Sequence, residues 1–279
     1  MIDAHIHVVP PNLPGAGPLH PLLIRPPDEV VAGLKQEMAD AGVSHALAMG
    51  ALPSSDDDPL GVADTLRIAE RVPGLLSIGA VHPSRTDKNS LRKADELLAS
   101  GRVKALKAYL GYLHFPPDHD GYRPYYELAG RHKIPFFFHS GDTDSVRAKL
   151  RFSHPLLVDD LAVDHPDVRF VLAHLGNPWL LDAAQVVHKN LNVWADLSGL
   201  MLGAVSAFAE EEQCEMFEEA RRDVRKAFLY AERPNRFLYG SDWPLVGMTA
   251  YRDFIRSAIP EICHDMIFEE NARTLFRIS

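Results

Sequence analysis

The sequence predicts a single (β/α)8 barrel, because short apolar segments and helical segments alternate along its 279 residues. Eight segments have the length and composition of buried strands, and turn residues flank them. These strand candidates are Ile2–Val8, Ala46–Met49, Leu76–Val81, Ala105–Leu110, Phe136–His139, Val168–His174, Val193–Leu197 and Phe237–Tyr239. A chain of this length is typical of one barrel, so we expect one domain over residues 1–279.

A doubly wound open sheet would show the same alternation of strands and helices. Such sheets commonly bind nucleotides through a Gly-x-Gly-x-x-Gly or phosphate-loop motif, and the sequence contains neither. The missing motifs favour the closed barrel over the open sheet.

The helical segments are recognised by the spacing of their apolar residues. Between Asp28 and Ala41 one face carries Val30, Leu34 and Met38, and Gly42 follows where a C-terminal cap belongs. The other predicted helices are Val62–Arg71, Ser90–Ser100, Tyr125–His132, Leu156–Val163, Leu180–His188, Phe208–Glu232, Ala250–Ala258 and Asp265–Phe276. The Pro- and Gly-rich segment Pro10–Pro27 predicts a long loop at the carboxyl end of the first strand.

Charge and composition disfavour several classes of protein. The formal net charge of −9 argues against binding to nucleic acid or to an anionic membrane. No apolar run is long enough for a membrane span, and the N-terminus lacks the pattern of a signal peptide. Cys214 and Cys263 are too few for a disulfide scaffold. We therefore expect a cytoplasmic protein that acts on a small molecule; a homodimer would suit apolar side chains on the outer helices.

The first strand carries the motif Asp3-Ala-His5-Ile-His7. Side chains two residues apart on a strand point to the same face, so His5 and His7 are expected to project together into the barrel. Two converging imidazoles would bind one metal ion, although His-x-His alone is a weak signal.

Three further strand ends carry a polar residue that follows an apolar run. They are His139 in Phe-Phe-Phe-His-Ser-Gly, His174 in Val-Leu-Ala-His-Leu-Gly, and Asp242 in Tyr-Gly-Ser-Asp-Trp-Pro. Burying so many ionisable groups together is costly unless they are paired or bind a metal. Imidazole and carboxylate ligands with an open position are typical of catalytic zinc, and manganese, iron or cobalt also suit such ligands.

Taken together, these segments resemble the amidohydrolase superfamily, in particular its amidohydrolase-2 branch of metal-dependent hydrolases and decarboxylases. The matching segments are IDAHIH, FFFHSG, VLAHLGNPW, LYGSDWPL and the closing NARTLF, and they occur in the family's order. The resemblance covers nearly the whole chain. It is specific for the superfamily, and it says little about the substrate.

The resemblance implies a role for each of these residues. His5, His7, His139 and Asp242 would bind one metal ion, and His174 would lie beside the metal-bound water as a general acid or base. In two-metal relatives, the histidine that matches His174 binds the second ion instead. Asp242 would also accept a proton from the water, and a nearby cation would keep it ionised.

A second group of residues is predicted to contact substrate. Lys107 and Tyr109 share one strand face, and three interpretations of Lys107 stay open. It would neutralise a substrate carboxylate, form a structural ion pair or, as in some superfamily members, be carbamylated and bridge two metals. Further candidates lie just beyond strand ends: Tyr112, Asn177, Trp179 and Trp243.

Two reactions suit these residues. The first is hydrolysis of an ester, lactone or amide, with a carboxylate-bearing substrate as one subclass. The second is non-oxidative decarboxylation of an aromatic or unsaturated acid. Decarboxylases of the family usually carry His-x-Gly-Gly after the sixth strand, whereas this chain has His174-Leu-Gly-Asn177, which favours hydrolysis. A weaker alternative is a non-catalytic barrel with a structural metal, although such sites are typically closed and rich in cysteine.

Overall fold

Eight parallel strands in sequence order form the centre of the molecule, as predicted. The computed structural model describes residues 1–200 and 209–279. The strands are β1 Ile2–Ile6, β2 His45–Met49, β3 Leu75–Ala80, β4 Val103–Ala108, β5 Pro135–Phe138, β6 Arg169–Leu172, β7 Val193–Asp196 and β8 Phe237–Leu238. Each strand pairs with its neighbour in the sequence, so the order runs from β1 to β8 without a crossover.

The sheet closes where the chain after β8 meets β1. The backbone N–H of Ala4 donates to the carbonyl of Tyr239 (2.8 Å), and that of Asp242 donates to the carbonyl of His5 (2.8 Å). The N–H of His7 donates to the carbonyl of Trp243 (2.7 Å). This closure confirms the (β/α)8 barrel and excludes the open sheet.

Helices surround the barrel, and one α-helix lies between each pair of consecutive strands. They are α1 Pro27–Ala41, α2 Ala63–Ala69, α3 Lys88–Ala99, α4 Arg123–His132, α5 Leu157–Asp164, α6 Leu180–Lys189, α7 Glu210–Ala231, α8 Met248–Ala258 and α9 Asn271–Phe276. Their bounds lie close to the predicted ones, and Gly42 caps α1 with φ +72°, as expected. The predicted start of α7, Phe208, lies outside the described residues. The predicted final helix is divided into a π-helical segment, Met266–Glu270, followed by α9.

The barrel interior is apolar at its amino-terminal end. Ile2 and Ala4 of β1 pack there with Phe137, Val171 and interior residues of the other strands. Three side chains of α9 join this cluster from below: Ala272, Leu275 and Phe276. The polar side chains of the interior therefore lie at the other end of the barrel, where the carboxyl ends of the strands meet.

Of the helices that the structure describes, none combines the length and the apolar composition that crossing a membrane requires.

Candidate active site

A cavity of about 390 Å³ opens at the carboxyl ends of the strands, and we refer to it as the central cavity. Its wall includes His7, His139, His174 and Asp242, which come from four different strand ends. The loop predicted at Pro10–Pro27 contributes Leu13 and Leu19. The sequence-predicted histidines and aspartate thus meet in one place, as the barrel topology requires.

A register shift in β1 directs its histidines toward the cavity. The pairing of β1 with β2 is regular at Ile2 and Asp3 and shifts before Ile6. Ile6 consequently packs outward among the side chains of α1, while His7 lines the cavity. A shift of this kind re-aims side chains near functional sites.

His5 is fully buried and has a hydrogen-bond partner at each ring nitrogen. Its Nδ1 donates to Oδ2 of Asp196 (2.8 Å) and lies 3.0 Å from Oγ of Ser198. Its Nε2 lies 3.0 Å from Nζ of Lys107 and 3.6 Å from Oδ1 of Asp242. Because the carboxylate accepts from Nδ1, the lone pair of His5 is on Nε2.

Asp242 and His7 face each other across the cavity floor, with His7 Nε2 3.4 Å from Asp242 Oδ1. Burial opposes ionisation of Asp242, but the interactions with His5 and His7 outweigh it and hold the pKa of Asp242 well below its usual range. Burial lowers the pKa of His7, so a carboxylate faces a neutral imidazole. His7 Nδ1 and Asp242 Oδ1 are buried and have no hydrogen-bond partner among the described residues.

His174 lies between this pair and β7. Its Nδ1 contacts Oγ of Ser198 (2.9 Å) and the carbonyl of Ser198 (3.2 Å), and lies 4.0 Å from Oδ2 of Asp242. A carbonyl only accepts, so Nδ1 carries the proton and Nε2 is the acceptor. Burial lowers the pKa of His174 to about 4, which leaves the ring neutral near pH 7.

His139 forms the opposite wall of the cavity. Its Nε2 donates to the backbone carbonyl of Asp142 (2.8 Å), which leaves Nδ1 with the lone pair. Its ring centre lies 4.9 Å from that of His174 and 4.9 Å from that of Tyr112. His139 shares the cavity with the other predicted ligands, but its ring nitrogens do not belong to either group of ligand atoms that lie within 4.8 Å of one another. Its role as a metal ligand stays a prediction.

The predicted second group of residues divides into two sets. Lys107, Tyr109, Tyr112 and Asn177 line the central cavity. The hydroxyl of Tyr109 donates to the carbonyl of Gly50 (2.7 Å), and the hydroxyl of Tyr112 accepts from the N–H of Asp144 (2.8 Å). Both hydroxyls thus fix the wall, and contact with substrate stays a prediction for all four residues.

The two tryptophans lie elsewhere, which corrects the predicted lining of the pocket. The ring of Trp179 packs on His154, with 4.6 Å between ring centres. Trp243 is buried in the apolar layer between the barrel and α1, next to Ile6 and Val30. The chain turns outward directly after Asp242, so the residue that follows a cavity-lining side chain faces the helix layer.

Asp196 and Ser198, which the sequence patterns did not indicate, organise the histidines from the end of β7. Oδ1 of Asp196 accepts from the N–H groups of His174 (2.9 Å) and Ser198 (3.0 Å) and from the Ser198 hydroxyl (2.5 Å). Burial opposes ionisation of Asp196, but the interaction with His5 outweighs it, so its pKa lies well below the usual range. The signal was present in Val193–Asp196, where a carboxylate ends an apolar strand, just as Asp242 does.

The donor atoms of the cavity fit a divalent metal ion. The ligand atoms of His5, His7 and Asp242 lie within 4.8 Å of one another, as do those of His5, His174 and Asp196. Buried polar atoms without partners are rare, and a cation bound beside His7 Nε2 would satisfy Oδ1 of Asp242. Neutral imidazoles beside an ionised carboxylate are the protonation states that metal ligands need.

The sequence matches the model of the family described as amidohydrolase over residues 2–278. The chain belongs to the amidohydrolase family. This confirms the resemblance inferred from the strand-end motifs, and it makes the central cavity the expected active site of an amidohydrolase barrel. No curated protein matches the sequence significantly.

Solved structures of this fold include both hydrolases and decarboxylases. An amidohydrolase from Burkholderia multivorans with bound zinc has a TM-score of 0.69 and 16% identity, covering 100% of this chain and 99% of its own. A probable 2-pyrone-4,6-dicarboxylic acid hydrolase from Acinetobacter baumannii has a TM-score of 0.66 and 16% identity, covering 99% of both chains. A 2,6-dihydroxybenzoate decarboxylase from Rhizobium has a TM-score of 0.66 and 16% identity, covering 99% of this chain and 98% of its own. At these identities the likeness shows the fold alone.

Proposed function

We propose that this amidohydrolase is a metal-dependent hydrolase of a small-molecule ester, lactone or amide. The observation that carries the proposal is the meeting of His5, His7 and Asp242 on the cavity floor, with neutral His174 beside them. A divalent metal held there would lower the pKa of a water molecule toward about 7 and polarise a carbonyl group.

The metal would be held by His5, His7 and Asp242, with His139 as the fourth ligand from the wall. Nitrogen and oxygen donors of this kind suit zinc, and manganese, iron or cobalt would also fit. Zinc is bound in the Burkholderia multivorans relative. The hydrogen bond from His5 Nδ1 to Asp196 fixes the orientation of the first ligand, as carboxylates commonly do for metal-binding histidines.

The residues of the chain would move the protons. Asp242 is held as a carboxylate, and the oxygen that does not bind the metal would accept a proton from the attacking water. His174 holds a proton on Nδ1 against Ser198, and its Nε2 is free to accept and return another to the leaving group. The ring of His174 and the carboxylate of Asp242 lie side by side, with Nδ1 4.0 Å from Oδ2, so one group can take up a proton while the other delivers one.

The charges of the wall favour a neutral substrate over one that carries several carboxylates. Among the described residues that line the cavity, Lys107 is the only lysine or arginine, and its ammonium contacts His5. Asp142 and Asp144 add carboxylates to the same wall. A substrate with several carboxylates would meet repulsion there, so a neutral lactone, ester or amide fits the cavity better.

The first experiment is to measure metal content and activity on the full chain. We expect about one zinc ion per chain, proton release from lactones and esters, release of an amine or ammonia from amides, loss of activity on chelation and its recovery on addition of zinc. Carbon dioxide release from aromatic acids without any hydrolysis would assign the chain to decarboxylation. A tightly bound metal with no activity toward either panel would support the structural-metal alternative.

A substitution at His174 separates catalysis from metal binding. His174→Asn should lower kcat by about 100- to 10,000-fold, because a general acid or base contributes that much, while zinc content stays near one. Trp179→Phe is the matched control, since Trp179 belongs to the same connection but lies outside the cavity wall. Equal activity of His174→Asn and the wild type would contradict the proposed proton transfer.

A further inference from the structure

Lys107 is a buried lysine whose ammonium donates a hydrogen bond to the lone pair of His5, a predicted metal ligand. It lies at the end of β4, is 1% exposed, and places Nζ 3.0 Å from Nε2 of His5. Nδ1 of His5 already donates to Asp196 at 2.8 Å. His5 therefore has one lone pair to offer, and Lys107 is its donor.

The same ammonium balances part of the negative charge beneath the cavity. The carboxylates of Asp196 and Asp242 both face the ring of His5, with oxygens 2.8 Å from Nδ1 and 3.6 Å from Nε2, respectively. The ammonium of Lys107 contacts the same imidazole ring and is attracted by both carboxylates. Among the described residues of the cavity wall, it supplies the only lysine or arginine charge.

We propose that Lys107 is an internal cation that competes with the metal for His5 and weakens metal binding at this site. The inference rests on the proposed function, in which His5 is a metal ligand. For His5 Nε2 to bind a metal, the contact with Lys107 must break, and the displaced ammonium still repels the incoming cation. A neutral side chain at position 107 would free the lone pair and would leave the negative charge of both carboxylates to attract the metal.

The test compares zinc dissociation constants of the stripped full chain, measured by competition with a chromogenic chelator. We expect Lys107→Met to bind zinc about tenfold more tightly than the wild type, or better, because one unit charge leaves a buried site. The matched control is Lys104→Met, on the same strand but half-buried and outside the cavity wall. Lys107→Gln, which is neutral but polar, should also bind more tightly, and it serves if the methionine variant does not fold.

The outcomes separate this inference from the proposed function. Weaker or unchanged zinc binding by both neutral variants would overturn the inference, and a loss of bound zinc would identify Lys107 as a ligand. If only the variants bind zinc, the inference holds and the proposal of a resident metal in the wild type fails. If neither the wild type nor the variants bind zinc, both fail.

Discussion

At the residue scale, Asp196 holds two of the cavity's histidines in place. It accepts four hydrogen bonds, from the ring of His5, the backbone of His174, and both the backbone and the hydroxyl of Ser198. These bonds fix which nitrogen of His5 carries the proton and where the chain turns at His174. Asp196 does not line the cavity, but its hydrogen bonds determine which histidine lone pairs point into it.

Asp196→Asn should therefore weaken metal binding without unfolding the chain. The amide keeps the shape of the side chain but loses the charge that orients and strengthens His5 as a ligand. Loss of such a partner typically lowers metal affinity by about 10- to 100-fold. The zinc dissociation constant measures the effect, and thermal unfolding of the stripped protein checks the fold. An unchanged dissociation constant would show that Asp196 does not orient a metal ligand.

Residue patterns predicted which polar groups gather in the cavity, but not how they pair. His5, His7, His139, His174 and Asp242 were recognisable because each ends an apolar strand. The contact of Lys107 with His5 joins β4 to β1, over 102 positions, and no periodicity encodes such a pair. For the same reason, the sequence left three interpretations of Lys107 open.

At the element scale, the connections after β6 and β8 adopt a strained backbone where their polar side chains line the cavity. His174, Leu175 and Asp242 have φ values of +59°, +44° and +68°, in the left-handed region that side chains disfavour. Such strain is often found at functional sites. The turn after β8 is also tightly packed, because a Cβ atom on Gly240 would lie 2.9 Å from Cβ of His5. Sequence patterns placed these turns, but the left-handed residues were not predictable from side-chain type.

Gly240→Ala should destabilise the protein where the chain after β8 meets β1, and it should displace the side chain of His5. Overpacking of a full interior typically costs about 1–3 kcal/mol in the free energy of unfolding, which urea denaturation measures. Gly17→Ala is the control, because a Cβ atom there meets nothing within 4 Å. If both variants unfold at the same urea concentration as the wild type, the packing where β1 meets the chain after β8 accommodates a Cβ atom at position 240, and the prediction is wrong.

At the scale of the whole molecule, the barrel separates stability from chemistry. The polar residues lie at the carboxyl ends of the strands, and the amino-terminal end is filled by apolar side chains that α9 covers. The alternation of strands and helices predicted this division, since all strands of a parallel barrel end on one face. It did not predict that the final helix packs beneath the barrel, because an amphipathic pattern does not specify which surface a helix covers.

Phe276→Ala should lower stability and leave the chemistry of the opposite end unchanged. Phe276 is 3% exposed, and its ring stacks on that of Phe137 inside the barrel, with 6.0 Å between centres. Truncating a buried phenylalanine typically costs about 3–5 kcal/mol, whereas Ile262→Ala, at a side chain that is 93% exposed, should cost little. Urea unfolding measures both variants, and zinc affinity at low temperature checks the cavity. A large fall in zinc affinity with the fold intact would show that the two ends of the barrel are coupled through its apolar interior.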